Sequence, residues 1–181
     1  LFEIPLNKKK AAEDSTRYPA KLVLAPVIAY EPATSWGIGI GAKILFKFKG
    51  STEETRTSNL PISAVYTLNN QIIFTSGYTI FFNEEKWSLR GNLAFSKFPQ
   101  AYFGVGNRTL ANAEEIFSFT NYLIEPILLR KVYKKLFVGG GIRYNIIANT
   151  ELEEEGQLTI ERPSGYNGSR SVGLEIVTVW D

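Results

Sequence analysis

Four charged residues stand where strand alternation aims them to one side of a sheet, opposite apolar neighbours: Arg90, Glu125, Arg143 and Glu175. Guanidinium and carboxylate groups so placed could pair across an enclosed space, meet a plug, or supply a carboxylate pair for acid–base work. Nothing fixes the separation of Glu125 from Glu175, so pairing across a lumen or against a plug is the expectation. Glu151, Glu153, Glu154 and Glu155 could gather divalent cations near lipopolysaccharide headgroups; a solvated loop is the simpler expectation. Gly37-x-Gly39-x-Gly41 lacks the Gly-x-Gly-x-x-Gly spacing of a phosphate loop and sits inside an apolar alternation, not between a strand and a helix. Alternate glycines there, and again at Gly139-Gly140-Gly141, leave one strand face bare and let the strand curve.

The chain holds no histidine and no cysteine. That removes the commonest general base and metal ligand, together with thiol chemistry and disulfides. Its 181 residues contain no Ser/His/Asp set, metal-ligand cluster or Walker motif. The expectation is a protein without catalytic, cofactor-binding or metal-ligating residues, and not an enzyme. Asn107-Arg108-Thr109 and Asn167-Gly168-Ser169 match glycosylation acceptors, a pattern short enough to arise by chance.

The elements that must position these residues read as strands. Across residues 36–48 one face is Trp36, Ile38, Ile40, Ala42, Ile44, Phe46 and Phe48, and the other is Gly37, Gly39, Gly41, Lys43, Leu45 and Lys47. An apolar band about ten residues long, backed by small or polar residues, is the pattern of a membrane-spanning β-strand. Residues 21–30, 59–68, 71–82, 86–98, 115–129, 136–147 and 171–180 repeat it, which predicts eight strands. In 86–98, Trp87, Leu89, Gly91, Leu93 and Phe95 oppose Ser88, Arg90, Asn92, Ala94 and Ser96, an inner face suited to a wet lumen rather than a dry core. Pro26 cannot donate to a ladder and predicts an edge or weakly paired strand at 21–30.

Asn69-Asn70, residues 83–85 and the basic 131–135 read as turns, and 49–58, 99–114 and 148–170 as loops. The two longest, 99–114 and 148–170, fall on the same side. This matches short periplasmic turns and long outer loops, with the N-terminus in the periplasm. Tyr30, Trp36, Phe48, Tyr66, Phe82, Trp87 and Trp180 fall near strand ends, as an interfacial aromatic belt would.

Hydrophobic residues make up 44% and the net charge is +2. No run approaches the ~20 apolar residues of a spanning helix, and no basic stripe points to nucleic acid. Methionine is absent, so the chain reads as processed or as part of a longer product. Residues 1–19, with Lys8-Lys9-Lys10 and Glu13-Asp14-Ser15, read as a polar periplasmic lead-in, and 20–181 as barrel strands.

Pro26-x-x-x-Tyr30-Glu31-Pro32-x-Thr34-x-Trp36-Gly37-x-Gly39 resembles the first hairpin of the short bacterial surface antigen (D15-like) barrels of the Omp85 superfamily. Tyr66-Thr67-Leu68-Asn69-Asn70-Gln71 resembles their second hairpin, and Tyr102-Phe103-Gly104-Val105-Gly106-Asn107 a stretch at their third outer loop. The resemblance covers about residues 20–181 and is best to the small BamA/TamA-like members. It implies an outer-membrane barrel of sixteen strands, of which these are the first eight. It also implies a role in assembling or translocating β-barrel clients, or in moving lipid, through a weak seam between first and last strands. The seam strand would then be 21–30, kept weak by Pro26. The implied partners are outer-membrane lipid and lipopolysaccharide, a nascent β-barrel client or an accessory subunit. The family's Arg-Gly-Phe-type lumen loop belongs to the other half and maps to no residue here. The alternative is a passive outer-membrane pore or a small structural barrel of eight strands. A lipocalin-like soluble barrel would need apolar residues inside, the reverse of 86–98.

Overall fold

Alternation with period two dictates the architecture, because almost no segment carries the 3.6-residue period of a helix. The structure, a computed structural model, describes residues 2–5, 19–31, 35–105 and 114–181. Its strands are β1 (Phe2–Pro5), β2 (Lys21–Glu31), β3 (Ser35–Phe46), β4 (Ser58–Thr67), β5 (Ile72–Phe82), β6 (Trp87–Tyr102), β7 (Glu115–Tyr133), β8 (Leu136–Glu151) and β9 (Ser169–Trp180). They form one antiparallel sheet in strict sequence order, each strand paired with the next. Among the described residues β1 and β9 make no ladder with each other, so the hydrogen-bond order is open at both ends. The eight expected strands appear as β2 to β9.

The tight turns place residues at positive φ. Asn70 has φ 58°, and its N–H bonds the Thr67 carbonyl at 3.1 Å. Asn83, Glu84 and Glu85 all occupy the left-handed region, at 52°, 54° and 63°, which is costly for the two glutamates. The basic turn narrows to Lys134-Lys135, because β7 continues through Lys131 to Tyr133.

Three expectations need correction. Residues 2–5, read as part of a polar lead-in, form β1 and pair with β2, so β2 is not wholly an edge strand. The physical reason is that Phe2 and Ile4 alternate with Glu3 and match the apolar phase of Leu22 and Leu24. Residues 99–102, read as loop from Pro99, extend β6 because β7 pairs with them continuously to Tyr102↔Glu115. The loop read at 148–170 yields residues to β8 and contains the helical turn α1 (Gln157–Glu161). Among the connections between β2 and β9, the two longest leave the same end of the sheet, after β6 and after β8.

Candidate functional site

Register aligns a continuous apolar face across the strands. Ile28 pairs with Ile38, Ile38 with Tyr66, Tyr66 with Ile72, and Ala64 with Phe74. Phe74 pairs with Phe95, Phe95 with Tyr122, Ile124 with Tyr144, and Ile142 with Leu174. No second layer covers this face among the described residues: Leu174 is 85% and Ile176 93% exposed, and Ile28, Ile38 and Val172 are exposed beside them. Soluble monomers rarely leave a contiguous apolar surface this wide.

The opposite face carries small and polar residues, and a single contact shows that it is the concave one. Arg56, just before β4, bonds Asp181, just after β9. Five ladders separate β4 from β9 in the sheet. At about 4.8 Å per ladder a flat sheet would hold them ~24 Å apart. The sheet therefore curls around the polar face at this end and turns its apolar face outward.

At the same end the concave face is filled. Phe81, Ser88, Leu129 and Phe137 are buried there. The Arg56 guanidinium lies 4.3 Å from the Phe81 ring centre and 5.4 Å from that of Phe137, a stacked cation–π arrangement. Arg56 Nε donates to Glu85 Oε2 at 3.2 Å, and the Arg56 backbone N–H donates to Glu85 Oε1. The left-handed backbone of Glu85 is thus held by its own carboxylate. Lys131 Nζ stands 3.9 Å from Glu85, and Arg90 Nη2 donates to Asp181 Oδ2 at 3.1 Å. Hydrogen bonds from Arg56 and Arg90 hold the Asp181 carboxyl below its ordinary range. A cavity of about 400 Å³ opens beside this cluster, lined by Glu54, Arg56, Glu85, Lys131, Lys134, Lys135, Phe137 and Asp181.

Arg56→Ala is expected to destabilise this end by about 1–2 kcal/mol, discounted because Arg56 is a third exposed. Arg56→Lys keeps the charge but loses the planar fork and ring stacking, and should recover only part of that stability. Chemical denaturation of the three proteins in one detergent checks both points.

The residues singled out above fare differently. Arg143 meets Glu125 at 3.4 Å, and Asn92 Nδ2 donates to the same carboxylate at 2.9 Å. Arg90 turns to Asp181 instead, and Glu175 lies opposite Gly141 on β9. Glu125 is thus tied into an ion pair on the concave face and is not set beside Glu175 as a catalytic pair. Glu151 takes a 2.8 Å bond from Lys97. Among the described residues no three acidic groups gather as a metal site. Gly37, Gly39 and Gly41 lie within β3, where a Cβ on Gly39 would stand 2.1 Å from the Ala64 carbonyl oxygen. Asn107 lies outside the described residues, as do Gly106 and the other residues of the 106–113 stretch.

No family model, curated protein or solved structure matches the chain. The geometry alone therefore carries the functional argument. Sequence reasoning missed Arg56, Glu85, Lys131 and Asp181, which come from four separate connections or strand ends and share no local spacing.

At the far end, the connection carrying α1 packs on the ends of β6 and β7. Buried Glu115 accepts from the Leu158 N–H at 2.8 Å, and a Cβ on Gly156 would stand 2.2 Å from its other oxygen. The Tyr102 hydroxyl donates to Glu161 Oε2 at 2.6 Å, and this bond pushes its pKa up to about 12. The neutral phenol is the favoured form, so the contribution to stability holds below pH 10 and is lost as pH rises from 10 to about 12. Ultraviolet titration should show a tyrosine component ionising near 12 that is lost in Tyr102→Phe and moves down in Glu161→Gln.

Proposed function

We propose that this chain forms strands of an outer-membrane β-barrel of Omp85 type, working in the assembly or translocation of β-barrel clients or in lipid transport. The observation that carries this reading is the convex face: nine strands of in-register apolar side chains, exposed to whatever surrounds the sheet. Hydrocarbon is the solvent that such a face suits, and the small and charged concave face suits a wet lumen. β2, β3, β4, β5 and β9 run 10 to 12 residues, close to the span of a tilted membrane strand. β6, β7 and β8 run 16 to 19 and project beyond the others toward the long connections, as outer loops do. The partners are outer-membrane lipid and lipopolysaccharide, together with a client strand or accessory subunit. The reading assigns the chain no reaction and no cofactor.

One observation favours a second reading, a small structural barrel of about eight strands. The side-chain-filled end around Arg56, Phe81 and Phe137 is what a narrow barrel has in its lumen. Detergent extraction from membranes, intact mass and heat-shifted gel mobility separate the two. A heat-shifted species of about twice the 20.3 kDa of this chain, active in inserting a β-barrel substrate into liposomes, is the expected result. A heat-shifted species at 20.3 kDa without insertion activity would favour the small barrel, and recovery in the soluble fraction would sink both.

A further inference from the structure

The end of the sheet opposite the long connections sorts its charges between the two faces. Carboxylates are drawn to the concave side: Glu85 meets Arg56 and Lys131, and Asp181 meets Arg56 and Arg90. Two cations are left outside. Arg130 stands on the convex face between Trp87 and Val138, with its guanidinium 5.5 Å from the Trp87 ring centre. Lys134, in the turn from β7 to β8, holds its ammonium 5.4 Å from the ring centre of exposed Tyr133. Both cations are exposed, and neither makes an ion pair among the described residues. The exposed Glu84 and Lys86 of the adjoining turn offset each other.

A cation over an aromatic ring at the margin of an apolar surface sits at the level of phospholipid headgroups. Two residues inward along the strands, the convex row is Leu89, Leu128, Gly140 and Ile176. Gly140 leaves a gap in that row, since a Cβ there would meet only the Glu175 carbonyl oxygen, at 3.0 Å. A cationic rim above a bare apolar furrow fits one molecule with a phosphate at its top and an acyl chain below.

We propose that Arg130 and Lys134 form a headgroup site for an anionic phospholipid, with one acyl chain lying over Gly140. The site rests on the membrane reading, because it needs the convex face in hydrocarbon. It selects net-negative over zwitterionic headgroups. No carboxylate offsets these two cations, and a choline or ethanolamine group would bring a further cation beside them. Each basic side chain at a membrane surface favours anionic lipid by on the order of fivefold.

The full chain is reconstituted in vesicles of phosphatidylcholine and phosphatidylglycerol, with one of the two lipids brominated in its acyl chains to quench tryptophan. The chain has three tryptophans, Trp36, Trp87 and Trp180, so single-tryptophan variants made by phenylalanine replacement report separately. Trp87 should show at least about a fivefold preference for phosphatidylglycerol. Trp36, at the opposite end beside Tyr30, should show none. In the Trp87 reporter, Arg130→Gln/Lys134→Gln should remove the preference, Arg130→Lys should keep most of it, and salt should weaken it. Heat-shifted mobility identifies the folded form of each variant. Equal quenching by the two lipids at Trp87, the same preference at Trp36, or a preference that survives the double glutamine substitution overturns the site and leaves the membrane reading standing. Failure of both brominated lipids to quench any tryptophan overturns the membrane reading, and the site with it.

Discussion

With the convex face in lipid, as proposed, Leu174→Arg is expected to cost about 2–4 kcal/mol of folding stability in a bilayer, the depth-dependent penalty for a cation on a lipid-facing strand. Leu174 sits in the middle of the 12-residue β9 and is 85% exposed on the convex face. At a water-facing position the same change would fall within about 0.5 kcal/mol, because the arginine would be solvated and no cavity would form. The sign of the environment thus decides the size of the effect. Ser171→Arg, whose side chain points to the opposite face of the same strand, serves as the comparison and should be nearly silent. Denaturant unfolding in bilayer vesicles, read by gel mobility and tryptophan fluorescence, measures both. Equal and small effects for the two variants would remove the membrane argument.

Gly139→Val is expected to be the most damaging change to the sheet itself, at about 3 kcal/mol or more. A Cβ at Gly139 would stand 1.9 Å from the Leu128 carbonyl oxygen and 2.8 Å from the Leu129 Cα. Both are backbone atoms of β7, so no rotamer change relieves the clash and the β7–β8 ladder must separate. Leu129 is fully buried on the concave face, and that separation would also open the filled end around Phe137. Gly173 provides the contrast: its added Cβ makes only ordinary van der Waals contacts, with the Arg143 Cβ at 3.7 Å and the Arg143 carbonyl oxygen at 4.0 Å. Gly173→Ala should therefore be tolerated, and the loss of a strand-interior glycine can even stabilise. Loss of the heat-modifiable folded band in Gly139→Val but not in Gly173→Ala is the expected gel result. A folded Gly139→Val protein of normal stability would show that the strands approach less closely than described.

Much of the fold was legible in the residues alone. The alternation in Ser35–Phe46 and Trp87–Tyr102 identifies strands and their two faces, because side-chain direction in a strand depends only on parity. Errors came where a local breaker signal met a long-range partner. Pro99 argued for a loop, yet residues 98–102 stay extended because 115–119 offer a complete ladder. Phe2–Pro5 was hidden within a lysine-rich stretch, and only its pairing with β2 makes it a strand.

The linear pattern by itself determined that this protein is an antiparallel sheet with one apolar and one polar face, since nearest-neighbour alternation encodes both. Which face is concave, which end is filled, and which charges meet were decided by tertiary structure. Arg56 and Asp181 are 125 residues apart, and Arg143 joins Glu125 rather than Glu175. These outcomes depend on how the sheet curls, a sum of small twists over nine strands that no single segment carries.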